Sequence, residues 1–123
     1  MTIEEVQQAI IADFSVYDDW MDKYTYLIEL GNELAPIDAS YKTDQNLIRG
    51  CQSRVWLQQR MEDGLLIFEA ESDALIVKGL VALLLKVFSG RTPQEILDAE
   101  PYFIDEIGLR QRAAPHFCAA AGN

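Results

Sequence analysis

The sequence predicts an α+β domain: a small antiparallel sheet of about three strands with helices packed on one face, in the order helix, helix, strands, helices. Three observations carry that prediction. Apolar residues recur at steps of three and four between Ile3 and Leu34, then alternate like strands on either side of Asp63-Gly64. From Ala74 onward the helical spacing returns, punctuated by Gly90 and by Thr92-Pro93.

Ile3, Val6, Ile10, Phe14 and Tyr17 form the apolar stripe of a first helix. Thr2 is its cap, with Glu4 and Glu5 in the first turn where the helix dipole favours negative charge. A second helix runs from Asp18 or Asp19 to Leu34, its apolar face being Trp20, Tyr24, Leu27, Ile28, Gly31 and Leu34. The short break between the two predicts an antiparallel pair. From Ala35 to Gln45 periodicity fails and Pro36, Asp38, Ser40 and Asp44 mark a connecting loop. Asn46 to Arg49 read as a short strand leading into Gly50-Cys51. Val55, Leu57 and Met61 then share one face, and Trp56, Gln58 and Arg60 the other. Asp63-Gly64 is a hairpin turn, because both residues tolerate positive φ, and Leu65 to Ala70 form the return strand.

Ser72 or Asp73 caps a helix from Ala74 to Phe88, which is apolar nearly all round and therefore the central one. Gly79 inside it costs about 1 kcal/mol against alanine, which a close packing partner would explain. Thr92-Pro93-Gln94-Glu95 is a capping box with proline at the first helical position, opening a short helix that ends near Ala99. Pro101 opens another toward Leu109. The tail from Arg112 to Asn123 contains Pro115 and ends polar, so poor order is expected there. The expected organisation is one domain over residues 1–112, with 113–123 as tail.

A chain of 123 residues, half of them apolar, can bury a core without disulfides or metal. Its formal net charge of −10 argues against nucleic-acid binding, which leaves a basic footprint. The two cysteines, Cys51 and Cys118, make no disulfide framework. The first residues show no signal-peptide pattern. The most apolar run, Gly79 to Leu85, stops at Lys78 and Lys86, far short of the ~20 residues that span a bilayer. The expectation is a cytoplasmic protein with reduced thiols and no membrane partner.

The chemistry narrows by elimination. Zinc needs three or four closely spaced ligands, and the chain has one histidine, His116. A Cys–His hydrolase needs an imidazole base, and that histidine lies in the tail. Phosphate-loop and dinucleotide spacings are absent. The acidic pairs Asp18-Asp19, Glu62-Asp63 and Glu69/Glu71 sit where solvated carboxylates are usual. Cys51 remains. Arg49 and Arg54 flank it, and positive charge favours a reactive thiolate. The competing reading is a buried cysteine acting as a small hydrophobe, and on local sequence that reading stands ahead. Sulfur exchange needs access, a lowered pKa and a good leaving thiolate but no acid–base relay, so one cysteine suffices for a sulfur acceptor.

The chain resembles the SufE family, the sulfur-acceptor proteins of iron–sulfur cluster assembly that include the CsdE paralogues. The residues that carry the resemblance are Trp20-x-x-Lys23-Tyr24-x-Tyr26-Leu27-Ile28-Glu29-Leu30-Gly31, then Asn46-x-Ile48-x-Gly50-Cys51-Gln52-Ser53-x-Val55-Trp56. Ser72-Asp73-Ala74-x-Ile76-Val77-Lys78-Gly79-Leu80 and Thr92-Pro93 follow in family order. The resemblance covers roughly residues 3 to 111 and fades after about Arg112, where family members usually continue through a further helix.

The resemblance implies that Cys51 accepts a sulfane sulfur from the persulfide of a cysteine desulfurase (of the SufS or CsdA kind) and delivers it to an iron–sulfur scaffold complex, stimulating the desulfurase. Pyridoxal phosphate would belong to that partner, leaving this chain with no cofactor of its own, a sulfur carrier rather than a stand-alone enzyme. Gly50 would let the loop swing or admit a close approach, and Gln52 and Ser53 would donate hydrogen bonds to the anionic sulfur. Asp73 is expected as the cap of the central helix, with proximity to the cysteine loop as its second reading. Trp20, Tyr24, Val55 and Trp56 are expected in the core. The alternatives are a cluster scaffold, for which one cysteine supplies too few iron ligands, and a non-catalytic interaction module.

Overall fold

Thr2 starts the first helix as its chemistry requires. Its hydroxyl accepts from Glu5 N–H at 3.0 Å, and the Glu5 carboxylate accepts from Thr2 N–H at 2.9 Å, a closed capping box. In the computed structural model, which describes residues 1–48 and 53–109, this helix, α1, spans Ile3–Ser15. Helix α2 spans Trp20–Asn32, capped by Asp19 through Met21 N–H at 2.7 Å. A single 3-10 turn, Ala39–Tyr41, interrupts the connecting loop. Strands β1, Val55–Glu62, and β2, Leu65–Ser72, form an antiparallel hairpin. Helices α3, Leu75–Phe88, α4, Pro93–Asp98, and α5, Phe103–Ile107, complete the described chain. Residues 49–52 and 110–123 lie outside it, and with them Arg49, Gly50, Cys51, Gln52, the expected boundary at 112 and the expected tail.

The hairpin turns at Asp63 and Gly64, with φ of 51° and 81°, the two positive values a two-residue turn of this hand requires. The register runs from Val55 opposite Ser72 to Glu62 opposite Leu65. The expected third strand reduces to one antiparallel bridge, Leu47 to Trp56, on the open edge of β1. On the other edge, Ser89, Gly90 and Arg91 bond to Phe68 and Leu66, so the chain leaving α3 partly closes β2.

Helix α3 is central, packing on α2, β2 and α1. Val77, Leu80, Leu83 and Val87 are buried, and with Leu27, Phe14, Ile10, Phe103 and Leu109 they make the core. The expected pairing of α1 with α2 is not the main one. Helix α2 packs chiefly on α3, and α1 on α5, while α1 and α2 meet at an aromatic corner where Phe14 and Tyr26 stack edge-on at 5.1 Å. Burial, followed by the charge of Asp13, raises the Tyr26 phenol above its ordinary pKa. Gln7, almost wholly buried, ties α1 to α5: its amide donates to Glu100 O at 3.0 Å and accepts from Phe103 N–H at 3.2 Å.

Candidate functional site

Both stems of the cysteine stretch are held by hydrogen bonds. On the near side, Ile48 N–H donates to Val55 O at 2.8 Å and Leu57 N–H to Asn46 O at 2.9 Å. The chain therefore leaves the sheet at Ile48 and rejoins it opposite, at Val55.

The far stem is Arg54, exposed, following half-buried Ser53. Arg54 N–H donates to the Asp73 carboxylate at 3.1 Å. Arg54 O accepts twice, from the Ser72 hydroxyl at 2.9 Å and from Asp73 N–H at 3.3 Å. Both backbone polar groups of Arg54 are thus bound by two consecutive residues at the end of β2.

This arrangement corrects the expected cap. The N-cap of α3 is Ala74, with no side-chain cap bond. The Asp73 carboxylate bonds Arg54 instead, and the Ser72 hydroxyl accepts from Ala74 N–H at 3.3 Å, outside the helix proper. Of the expected site residues, Ser53 and Asp73 are described, and the bond to Arg54 brings Asp73 to the residue next to Ser53. Gly50, Cys51 and Gln52 lie outside the described residues.

The outer face of the hairpin carries a cluster that sequence reasoning missed. Lys42 forms an ion pair with Glu71 and lies 5.3 Å over the Trp56 ring. Trp56 and Glu71 are cross-strand partners, and Glu71 also accepts from Ile37 N–H at 3.1 Å. The Lys42 bond is the leading cause that holds the Glu71 carboxyl below its ordinary 4.5, with burial pulling the other way. Trp56 is accordingly a half-buried residue of the outer face rather than a core residue, whereas Val55 is buried and Trp20 and Tyr24 pack on the core. The Asp63-Gly64 turn fixed the Trp56–Glu71 pairing in advance; no local signal announced Lys42.

On the inner face, an apolar cleft of about 400 Å³ opens between the hairpin and α3. Ile48 and Val55 line it beside Leu57, Phe68, Leu84 and Phe88, so it reaches both residues from which the cysteine stretch departs. It also explains why α3, apolar nearly all round, keeps Val81, Leu84, Leu85 and Phe88 only half-buried. A larger open cleft, about 700 Å³, lies between the start of α1 and α4 and carries Glu4, Glu95, Asp98 and Glu100, but none of the expected site residues. Among the described residues no three His, Cys, Asp or Glu side chains gather as metal ligands do, and no helix is long and apolar enough to cross a membrane.

A family model for SufE, described as an Fe-S metabolism associated domain, matches residues 8–117. The chain belongs to the SufE family. The match runs through both stems and the stretch between them. The fold is also similar to that in a solution structure of a hypothetical protein from Thermus thermophilus, with a TM-score of 0.71 at 20% identity, covering 94% of this chain and 84% of that one. SufE membership supports a sulfur-transfer role in iron–sulfur cluster assembly in general, and with it interaction with a cysteine desulfurase.

Proposed function

We propose that Cys51 is the sulfur acceptor of this SufE protein. Its thiolate attacks the outer sulfur of a desulfurase persulfide, a new S–S bond forms, the donor S–S bond breaks and the donor cysteine leaves as thiolate. One sulfane sulfur changes hands with no net oxidation or reduction. The product, Cys51–S–SH, then passes its sulfur by the same exchange to a scaffold complex in a reducing, cytoplasmic setting. Gly50 supplies backbone freedom, and Gln52 and Ser53 supply hydrogen-bond donors to the anionic sulfur.

The observation that carries this reading is the SufE match across residues 8–117, which includes the only Gly-Cys-Gln-Ser stretch in the chain. The desulfurase carries the pyridoxal phosphate; the role given to this chain asks only for a thiolate.

The test is incubation with cysteine and a cysteine desulfurase, trapping with an alkylating agent, then intact-mass measurement and peptide mapping. One added sulfur on Cys51, absent from Cys118 and lost in Cys51→Ser, is the expected result. No added sulfur on the wild-type chain with any desulfurase tested overturns it and favours a non-catalytic interaction module.

A further inference from the structure

We propose that the apolar cleft between the hairpin and α3 is the docking site of this chain's own tail, residues 110–123, with Phe117 as the anchor. Every described residue that lines the cleft is apolar. Leu57, Phe68, Val81, Leu84 and Phe88 are only half-buried there, so apolar surface remains to be covered. No side chain in the lining would orient a polar ligand. The volume, about 400 Å³, suits one or two side chains rather than the broad faces by which two subunits join.

Position, composition and charge all point to the tail. Ala99, Pro101 and Ile104 line the cleft, and Leu109, five residues after Ile104, is fully buried. Five residues span at most about 18 Å, whereas the eight from Leu109 to Phe117 reach about 28 Å. Phe117 can therefore return to the cleft. Among the fourteen residues after Leu109 it is the only large apolar side chain, with alanines on both sides of it. Residues 1–109 hold all twenty acidic residues and eight of the ten basic ones, and the tail holds the other two, Arg110 and Arg112. The tail is thus drawn to its own molecule, while two copies at −10 each repel. Tethering adds an effective concentration on the order of millimolar, so a modest contact suffices. The SufE match also continues past α5, to residue 117.

The test uses the full chain with labelled methyl groups and measures NOEs from the Phe117 ring. The expected result is contact with methyls of Leu57, Leu84 and Ile104. A dye that fluoresces on exposed apolar surface, ANS, is expected to gain at least about twofold in emission with Phe117→Ala. Phe117→Leu, which keeps an apolar anchor, stays near wild type. Three results overturn the proposal: no NOE from Phe117 to methyls of the cleft, equal ANS emission in Phe117→Ala and wild type, or NOEs found only between differently labelled copies, which would give the cleft to a second molecule. The wild-type NOEs need no variant, so they decide the matter even where Phe117→Ala fails to fold. Neither measurement involves Cys51, so failure here and failure of the acceptor reading are told apart.

Discussion

Gly31 of α2 and Gly79 of α3 meet backbone to backbone. A Cβ on Gly31 would lie 2.7 Å from Gly79 N, and one on Gly79 would lie 2.4 Å from Leu27 O. Both obstacles are main-chain atoms, which cannot swing aside. The helix-propensity cost of Gly79, about 1 kcal/mol, is therefore the condition for this crossing. Gly79→Ala recovers that propensity but forces the helices apart, and overpacking of this kind costs about 1–3 kcal/mol or more. The loss is expected to win, lowering stability by about 2 kcal/mol. Urea denaturation reads it as a lower midpoint at unchanged slope; a midpoint at or above wild type would mean that α2 and α3 separate freely.

Thr92 closes the second capping box, its hydroxyl accepting from Glu95 N–H at 3.1 Å while the Glu95 carboxylate accepts from Thr92 N–H at 3.0 Å. The backbone bond from Thr92 leads the causes that hold the Glu95 carboxyl below 4.5. Helix α4 has only six residues, so one lost cap removes a large share of its local order. Thr92→Ala is expected to cost about 1 kcal/mol and to speed amide exchange at Glu95 and Ile96. Exchange at wild-type rates would show that α4 is held by packing alone.

These two features were legible in the sequence because they are local. A capping box spans four residues, Asp63-Gly64 fixes its own turn, and Gly79 stands out in an apolar helix. The readings that changed depend on distant partners. Ser72-Asp73 ahead of an apolar run looks like a cap, yet the Asp73 carboxylate is claimed by Arg54 N–H, nineteen positions away. The hairpin register brings those residues together, and at short range the cap is the simpler reading. Leu47 pairs with Trp56 alone because the chain just before it turns, Asn46 N–H bonding Thr43 O at 3.1 Å. Lys42 and Glu71 are likewise joined only through the fold. The Cys51 stretch was legible as a motif; the hydrogen bonds that hold its stems were not.

Glu71 offers a pH test with a definite sign. Its carboxyl is held below 4.5 first by the Lys42 bond and also by Ile37 N–H. A group with a depressed folded pKa stabilises the fold above its unfolded value, and that contribution is lost as pH falls through the folded value. Acid should therefore release the Ile37–Lys42 loop from the hairpin. Lys42→Met removes the leading cause, so the Glu71 titration midpoint, followed by carboxyl NMR, should move upward. The stability difference between variant and wild type should also shrink as pH is lowered beneath 4.5. An unmoved midpoint would place the ion pair outside the energetics of this face.

Gln7 gives the most direct test of how α5 is held. It occupies the α1 face that buries Ile3, Ile10 and Phe14, where a helical stripe calls for an apolar side chain. It is nevertheless buried, because its amide meets Glu100 O and Phe103 N–H at the start of α5. Gln7→Met keeps the length and nearly the volume while removing both bonds. The gain in apolar burial is small, and the two losses are unequal. Glu100 is exposed and its carbonyl can turn to water, but Phe103 is 1% exposed and its N–H is left without an acceptor. A buried donor stranded in this way costs about 1–3 kcal/mol, so the methionine variant should be less stable despite its greater hydrophobicity. Amide exchange at Phe103 should accelerate more than exchange at Leu83 in α3. A variant as stable as wild type would mean that Phe103 N–H finds another partner and that α5 is held by its apolar side chains alone.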